Sequence, residues 1–416
     1  MRDPIYKTRP VAPNPARFGG QRINDFVVLS EAFSNAYLIE TDEGCVQLNA
    51  GMGMEAPVID ANFREFTDQP VHSLIFTQGH VDHVGGTAWF RERNPGLRVI
   101  ASANNPEHQA YDARLAPFRA SRSGFAFTRK FAEAFDYYAQ QNYTDFPAQD
   151  EPTPDLLVED KLVFELGGVT FEVIAVPGAE TNDSLIVWLP EHRICFTGNL
   201  FGCPFGHFPN LVTIRGDRYR EAMVVAGAVD TVRSLEPDMI CYGHHGPVAG
   251  SQLIREELDA LYGAIVHVHD ATVRGMNEGK DVHTLMREIT LPPELEVGQG
   301  YGKVSWSVRA IWESYAGWFH HSSTTELYAV PASAVHADIL DLAGGVDAVL
   351  RRVRDKVAAS QPEAALHLLD IVRNAGADND ASRELYIDVH RQLLGETDNF
   401  WLSSWLENQI SLAGQG

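Results

Sequence analysis

The segment Thr77-Gln78-Gly79-His80-Val81-Asp82-His83-Val84-Gly85-Gly86 constrains this chain more than any other. Three side chains able to bind a metal fall within four residues, directly after the apolar run 71–76. A short apolar run bounded by polar and glycine residues predicts a buried strand. The two glycines that follow let the backbone turn tightly into the next element. A strand that ends in His-x-Asp-His brings neutral imidazoles and a carboxylate to one sheet edge, where they can converge on a cation. Gln78 stands two places before His80, where a fully armed dinuclear site needs another histidine.

The rest of the chain supplies a frame for that edge. Residues 26–29, 36–40 and 45–48 read as consecutive strands, with a turn at 42–44. Strands at 71–77 and 98–101 flank a helix over 86–93. A second set follows at 162–164, 169–176, 184–189 and 193–197, with Gly167-Gly168 as a hairpin turn. One more strand, 239–242, ends at Gly243-His244-His245-Gly246-Pro247. Strand sets interleaved with helices predict a layered α/β domain over residues 1–250. Residues 105–150 read as an aromatic, partly helical insertion that either walls a substrate pocket or packs as ordinary helix. After residue 250 strand signals stop. Helical periodicity at 252–277, 301–319, 346–356, 363–375, 381–394 and 399–412 predicts an all-α domain over 251–416.

A length of 416 residues suits two domains. The net charge of −23 opposes binding to a nucleic-acid backbone or an anionic membrane surface. An anionic substrate must therefore be met by local cations. No apolar run approaches the roughly 20 residues of a membrane span, so no membrane insertion is expected. The first seven residues lack the apolar core of a signal peptide, which makes the cytoplasm the expected location. Cys45, Cys195, Cys203 and Cys241 form no CxxC pair, so neither a disulfide framework nor a cysteine zinc site is expected.

In chain order the candidate ligands are His80, Asp82, His83, Glu180, Asn199 and His244, each at the end of a predicted strand. His245 competes with His244 for one role. His207, between Phe205 and Phe208, is open between a pocket and a core position. His267, His269 and His283 read as surface or core residues of helices. Asn49, in Leu48-Asn49-Ala50-Gly51, reads as structural.

The Thr-x-x-His-x-Asp-His-x-x-Gly pattern resembles the metallo-β-lactamase superfamily, and within it the alkylsulfatase branch. Pro177-Gly178-Ala179-Glu180 carries a glutamate as that branch does. Leu211-Val212-Thr213-Ile214-Arg215-Gly216 resembles its Thr-x-Arg-Gly segment. Tyr301-Gly302-Lys303-Val304, Tyr315-Ala316-Gly317-Trp318-Phe319 and Gly344-Gly345 resemble its helical dimerisation domain. The resemblance implies an αββα sandwich followed by an all-α domain and a homodimer; the lipid-carrier-like third domain of many members of that branch is not expected, because the chain ends too soon for it.

For the site, the resemblance implies metal ligation by His80, Asp82, His83, Glu180 and one of His244 and His245. Gln78 stands in place of the family's first histidine, and Asn199 in place of a bridging carboxylate. Amides are poorer ligands than imidazole or carboxylate, so one firm ion and one weak or absent ion are expected. Zinc is the expected metal, with iron or manganese open. The implied activity is hydrolysis of a small anionic ester, alkyl sulfate-like, by metal-activated water. Asp82 would orient the water, Arg215 would hold the anionic group, and Asn199 would donate a hydrogen bond. Two alternatives stand beside it: a single-metal variant with non-hydrolytic chemistry, and a non-catalytic binding or scaffold protein.

Overall fold

Alternation along the strands sends successive side chains into two different cores. In the first half of the chain the elements are β1 (Gln21–Arg22), β2 (Val27–Ser30), β3 (Ala36–Thr41), β4 (Gly44–Leu48), α1 (Ala56–Arg64), β5 (Val71–Ile75), α2 (Val81–Val84), α3 (Thr87–Arg93), β6 (Arg98–Ser102), α4 (Asn105–Gln140) and β7 (Leu156–Val158). These seven strands form one sheet in sequence order, antiparallel from β1 to β4 and parallel from β4 to β7. Val28, Leu38 and Leu74 point to a core shared with α1, α3 and α4. Val27, Leu29, Ile39 and Ile75 point the other way. This computed structural model describes residues 3–415 except 203, 212, 213 and 215.

The second sheet is built from β8 (Lys161–Leu166), β9 (Val169–Ala175), β10 (Leu185–Leu189), β11 (Ile194–Gly198), β12 (Met239–Tyr242) and β13 (Val248–Ala249), with α5 (Ala222–Leu235) between β11 and β12. Its order is β13-β12-β11-β10-β9-β8, with only β11 and β12 parallel. The β8–β9 hairpin turns at Gly167-Gly168, both at positive φ, as a two-residue turn requires. Val173, Leu185, Val187 and Phe196 face Val27, Leu29 and Ile39 across the sandwich. Ile186, Trp188 and Ile240 face outward to helices. The layers are therefore helices, sheet, sheet, helices, as expected.

Helices α6 (Ser251–Asn277), α7 (Val282–Glu288) and α8 (Val304–Ala316) follow. Ile254, Leu258, Leu261 and Ile265 recur at helical spacing and join Val225, Val229 and Val232 of α5 in one core. Each such buried side chain contributes roughly 1.5–3 kcal/mol. The first compact unit accordingly runs to Tyr315, past the change of texture at residue 250. The second unit, Ala316–Gly416, holds α9 (His336–Leu342), α10 (Val346–Ala358), α11 (Pro362–Asn374), α12 (Asp380–Gly395) and α13 (Phe400–Gly414) around Leu350, Val353, Leu369, Val372 and Val389. No described helix is long and apolar enough to cross a membrane.

The insertion departs from expectation in one respect. Residues 105–140 form a single helix, α4, with Pro106 in its first turn and Pro117 inside. Pro117 has no N–H to offer the carbonyl four residues earlier, so the helix continues there on its neighbouring bonds. Cys45, Cys195 and Cys241 are buried free thiols. Cys203 lies outside the described residues.

Candidate metal centre

Strand β5, expected to be buried, is so only at Leu74 and Ile75; it ends at Ile75, and Phe76 to Gly79 lead to His80, the residue that caps α2. The short helix α2 carries Asp82 and His83 at consecutive positions in its single turn, directly after His80. His83 is fully buried, and its surroundings determine its tautomer. Thr77 Oγ1 donates to Asn49 Oδ1 at 3.0 Å, so it accepts from His83 Nδ1 at 3.1 Å. Nδ1 thus carries the proton, and Nε2 keeps a lone pair directed at Asn199 Nδ2, 3.1 Å away. Asn49 adopts positive φ (59°) and also accepts from Thr77 N at 3.0 Å. Its structural role is to brace the residue that orients His83.

Asn199 follows β11 and His244 follows β12, two strands paired in parallel, so both arrive at the same edge. A side chain at Gly243 would collide with Asn199 Oδ1, so glycine is required there. The two sheets are tied at this edge: Asn35 N donates to Gly243 O at 2.7 Å, Tyr37 Oη to Tyr242 O at 2.7 Å, and Leu185 N to Thr77 O at 2.8 Å. Burial depresses His83 and His244 to about 3, and His245 to about 4, so all three rings are neutral near pH 7. Asp82 opposes that shift at His244.

A cavity of about 480 Å³ opens on this edge, lined by His80, Asp82, Glu180, Asn199 and His244. His245 is not among its lining residues. It sits at positive φ (61°) near Arg9, which lowers its proton affinity further, and its carbonyl accepts from Asn35 Nδ2 at 2.6 Å. One face of α4 lines the cavity at three- and four-residue spacing: Asp112, Ala116, Arg119, Ala120, Phe127 and Phe131. The insertion thus does both things expected of it, since Ala134 and Tyr138 of the same helix are core.

Glu180 is held by Arg220, which donates to its Oε1 at 2.9 Å and to its backbone oxygen at 2.7 Å. Gln78 is buried, and its amide lies 2.7 Å from His80 Nδ1. Arg215 lies outside the described residues. His207 does not line the cavity; its Nδ1 accepts from Gly300 N at 3.0 Å, which braces the 298–302 loop. Sequence reasoning missed Asp217, Arg119 and Arg220. Arg119 pairs with Asp112 and lies 3.5 Å from Asp217. Asp217 is also 3.7 Å from His80 Nε2. It also missed His108 and Asp112, whose four-residue spacing on a helix was a readable signal.

The donor set suits a divalent cation. Four carboxylates, Asp82, Asp112, Glu180 and Asp217, surround this end of the cavity against two guanidiniums, Arg119 and Arg220. His244 Nδ1 and Asn199 Oδ1 are buried without a hydrogen-bond partner among the described residues. Buried acceptors left in this state cost about 1–3 kcal/mol each unless a cation or donor meets them.

Comparison with known proteins adds a family frame to this geometry. The family model for the Metallo-beta-lactamase superfamily matches residues 29–244. That for Alkyl sulfatase dimerisation matches residues 281–409. A linear primary-alkylsulfatase of Pseudomonas sp. is 26% identical over 398 residues, covering 91% of this chain and 74% of the relative. An (R)-specific secondary-alkylsulfatase of Pseudomonas sp. is 24% identical over 433 residues, covering 96% of this chain and 64% of the relative. The solved stereoselective inverting sec-alkylsulfatase of Pseudomonas sp. has the same fold, with TM-score 0.80 and 20% identity, covering 95% of this chain and 66% of that one.

Proposed function

Because the chain belongs to the metallo-beta-lactamase superfamily, in its alkylsulfatase-like branch, we propose that it is a metal-dependent hydrolase of alkyl sulfate-like esters. The observation that carries this reading is the cavity itself. Its charged end suits a cation and an anionic head group, and its helical wall of alanine and phenylalanine suits an alkyl chain. Each methylene buried there contributes about 0.8 kcal/mol to binding.

A bound divalent cation, zinc as first expectation and iron or manganese as alternatives, would supply an acidified water and Lewis acidity at the ester. Asp82, His83 and His244 would hold it, with His80 and Glu180 beside them. His83 presents its Nε2 lone pair because Thr77 takes the proton side of the ring. His244 stays neutral by burial. Asn199 supplies an amide that can orient water or substrate. Arg220 holds Glu180 by one bond to its carboxylate and one to its backbone oxygen. Arg215 and Arg119 are the cations for the sulfate. The apolar face of α4 excludes water from the chain-binding side.

The test is release of inorganic sulfate from hexyl, octyl and dodecyl sulfates by metal-loaded protein. The expected result is metal-dependent release with kcat/KM rising with chain length, and near-complete loss in His83→Ala. No release from alkyl sulfates, esters or lactones, with any of the three metals, overturns the reading. The amides Gln78 and Asn199 favour one further possibility, a single iron with oxygen-dependent chemistry. Iron content coupled to oxygen uptake would identify it.

A further inference from the structure

We propose that His80, His108 and Asp112 form a second cation site on α4, which takes over from the half-site that Gln78 leaves incomplete. One ligand atom from each of the three lies within 4.8 Å of the others. Bonds of about 2.1 Å at tetrahedral angles place ligands about 3.4 Å apart, so a small contraction closes the group on an ion. All three sit where Gly79 lets the strand-end loop approach α4. A Cβ at Gly79 would fall 2.8–2.9 Å from Asn105 Nδ2, Asp183 Oδ2 and His108 Cδ2.

The tautomer of His108 is the independent observation. Glu107 Oε2 only accepts, so Asn182 must turn its Nδ2 to it, at 2.6 Å. Asn182 Oδ1 is then the atom facing His108 Nδ1, at 2.9 Å, and Nδ1 must carry the proton. Arg218 fixes Glu107 in turn, at 2.5 and 3.2 Å. In the neutral ring His108 Nε2 is left with a lone pair, buried, without a hydrogen-bond partner among the described residues, and 3.8 Å from Asp112 Oδ2. A lone pair and a carboxylate oxygen facing each other in a largely buried space favour a positive charge between them, and a metal ion shared with His80 meets that need. Arg119 occupies Asp112 Oδ1 and leaves Oδ2 to that space. An outer partner on a ligating carboxylate is the usual arrangement at metal sites.

Gln78 then acts as a positioning residue. Its amide nitrogen lies 2.7 Å from His80 Nδ1, and turning the amide over on metal binding would present the carbonyl to the ring proton and free Nε2 for the ion. Two imidazoles and a carboxylate suit zinc or another first-row divalent ion. The inference rests on the metallohydrolase reading only for its consequence, a two-ion centre, and its test reads metal binding alone.

The experiment counts zinc in the full-length protein after equilibrium dialysis, with calorimetric titration of the metal-free form. We expect two ions in the unsubstituted protein. His108→Gln and Asp112→Asn should each lose one ion, or weaken it at least tenfold, and keep the other. His83→Ala and His244→Ala should show the complementary loss. Gln78→Leu should weaken the His108-dependent ion and leave the other unchanged. X-ray absorption should lose a histidine from the average zinc shell in His108→Gln. Unchanged stoichiometry and affinity in folded His108→Gln and Asp112→Asn, with native circular dichroism, overturns the proposal. Two bound ions with no sulfate release would defeat the hydrolase reading and leave this site standing.

Discussion

At the residue scale, the site depends on side chains that touch no substrate. Thr77 links Asn49 to His83 and fixes which ring nitrogen faces Asn199, a residue of the cavity wall. Thr77→Val removes that link at equal volume and should lower metal affinity by about 10–100-fold, read by titration of the metal-free protein. The buried rings also predict an acid response. His83 and His244 titrate near 3 in the fold, against about 6.5 in an unfolded chain. Between those values the unfolded chain binds protons that the fold refuses. Stability should therefore fall as pH drops below about 6.5, by up to about 1.4 kcal/mol per unit per ring, and level off below about 3. Urea midpoints of metal-free protein from about pH 7 to about pH 4 measure this. A flat profile, once His83→Gln and the wild type are compared, would remove burial as the cause.

At the element scale, α4 is both wall and ligand carrier. Its cavity face alternates polar and apolar positions, and Phe127 and Phe131 supply its largest apolar surface. Phe127→Ala removes roughly 1.5 kcal/mol of chain burial, so kcat/KM should fall about tenfold for dodecyl sulfate and little for hexyl sulfate. An equal loss on both would assign Phe127 to helix packing instead. The strands were readable because both cores follow a period of two: Val27, Leu29 and Ile39 against Val28 and Leu38. α4 was harder to read as one element, since Pro117 and the polar run around it interrupt any apolar stripe. α5 escaped notice because its stretch, Ala222–Leu235, is small and apolar on most sides.

At the scale of the whole molecule, charge and assembly give the remaining predictions. A protein of net charge −23 repels an alkyl sulfate at long range. Raising ionic strength from about 0.01 to about 0.15 M shortens the screening length from about 30 to about 8 Å, so kcat/KM should rise with salt. A fall would mean that local cations dominate the approach. The match of residues 281–409 to Alkyl sulfatase dimerisation predicts a mass near twice 46.0 kDa by light scattering; a monomer across the working concentration range would contradict it. Sequence alone determined the layered fold, the His-x-Asp-His edge and the helical second half, because periodicity, glycine placement and ligand spacing are local properties of the chain. Only the tertiary structure brought His108 and Asp112 beside His80, set Arg220 on Glu180, and turned Gln78 toward a ring nitrogen. These meetings join residues far apart in the chain or depend on a side-chain orientation, and no local pattern encodes either.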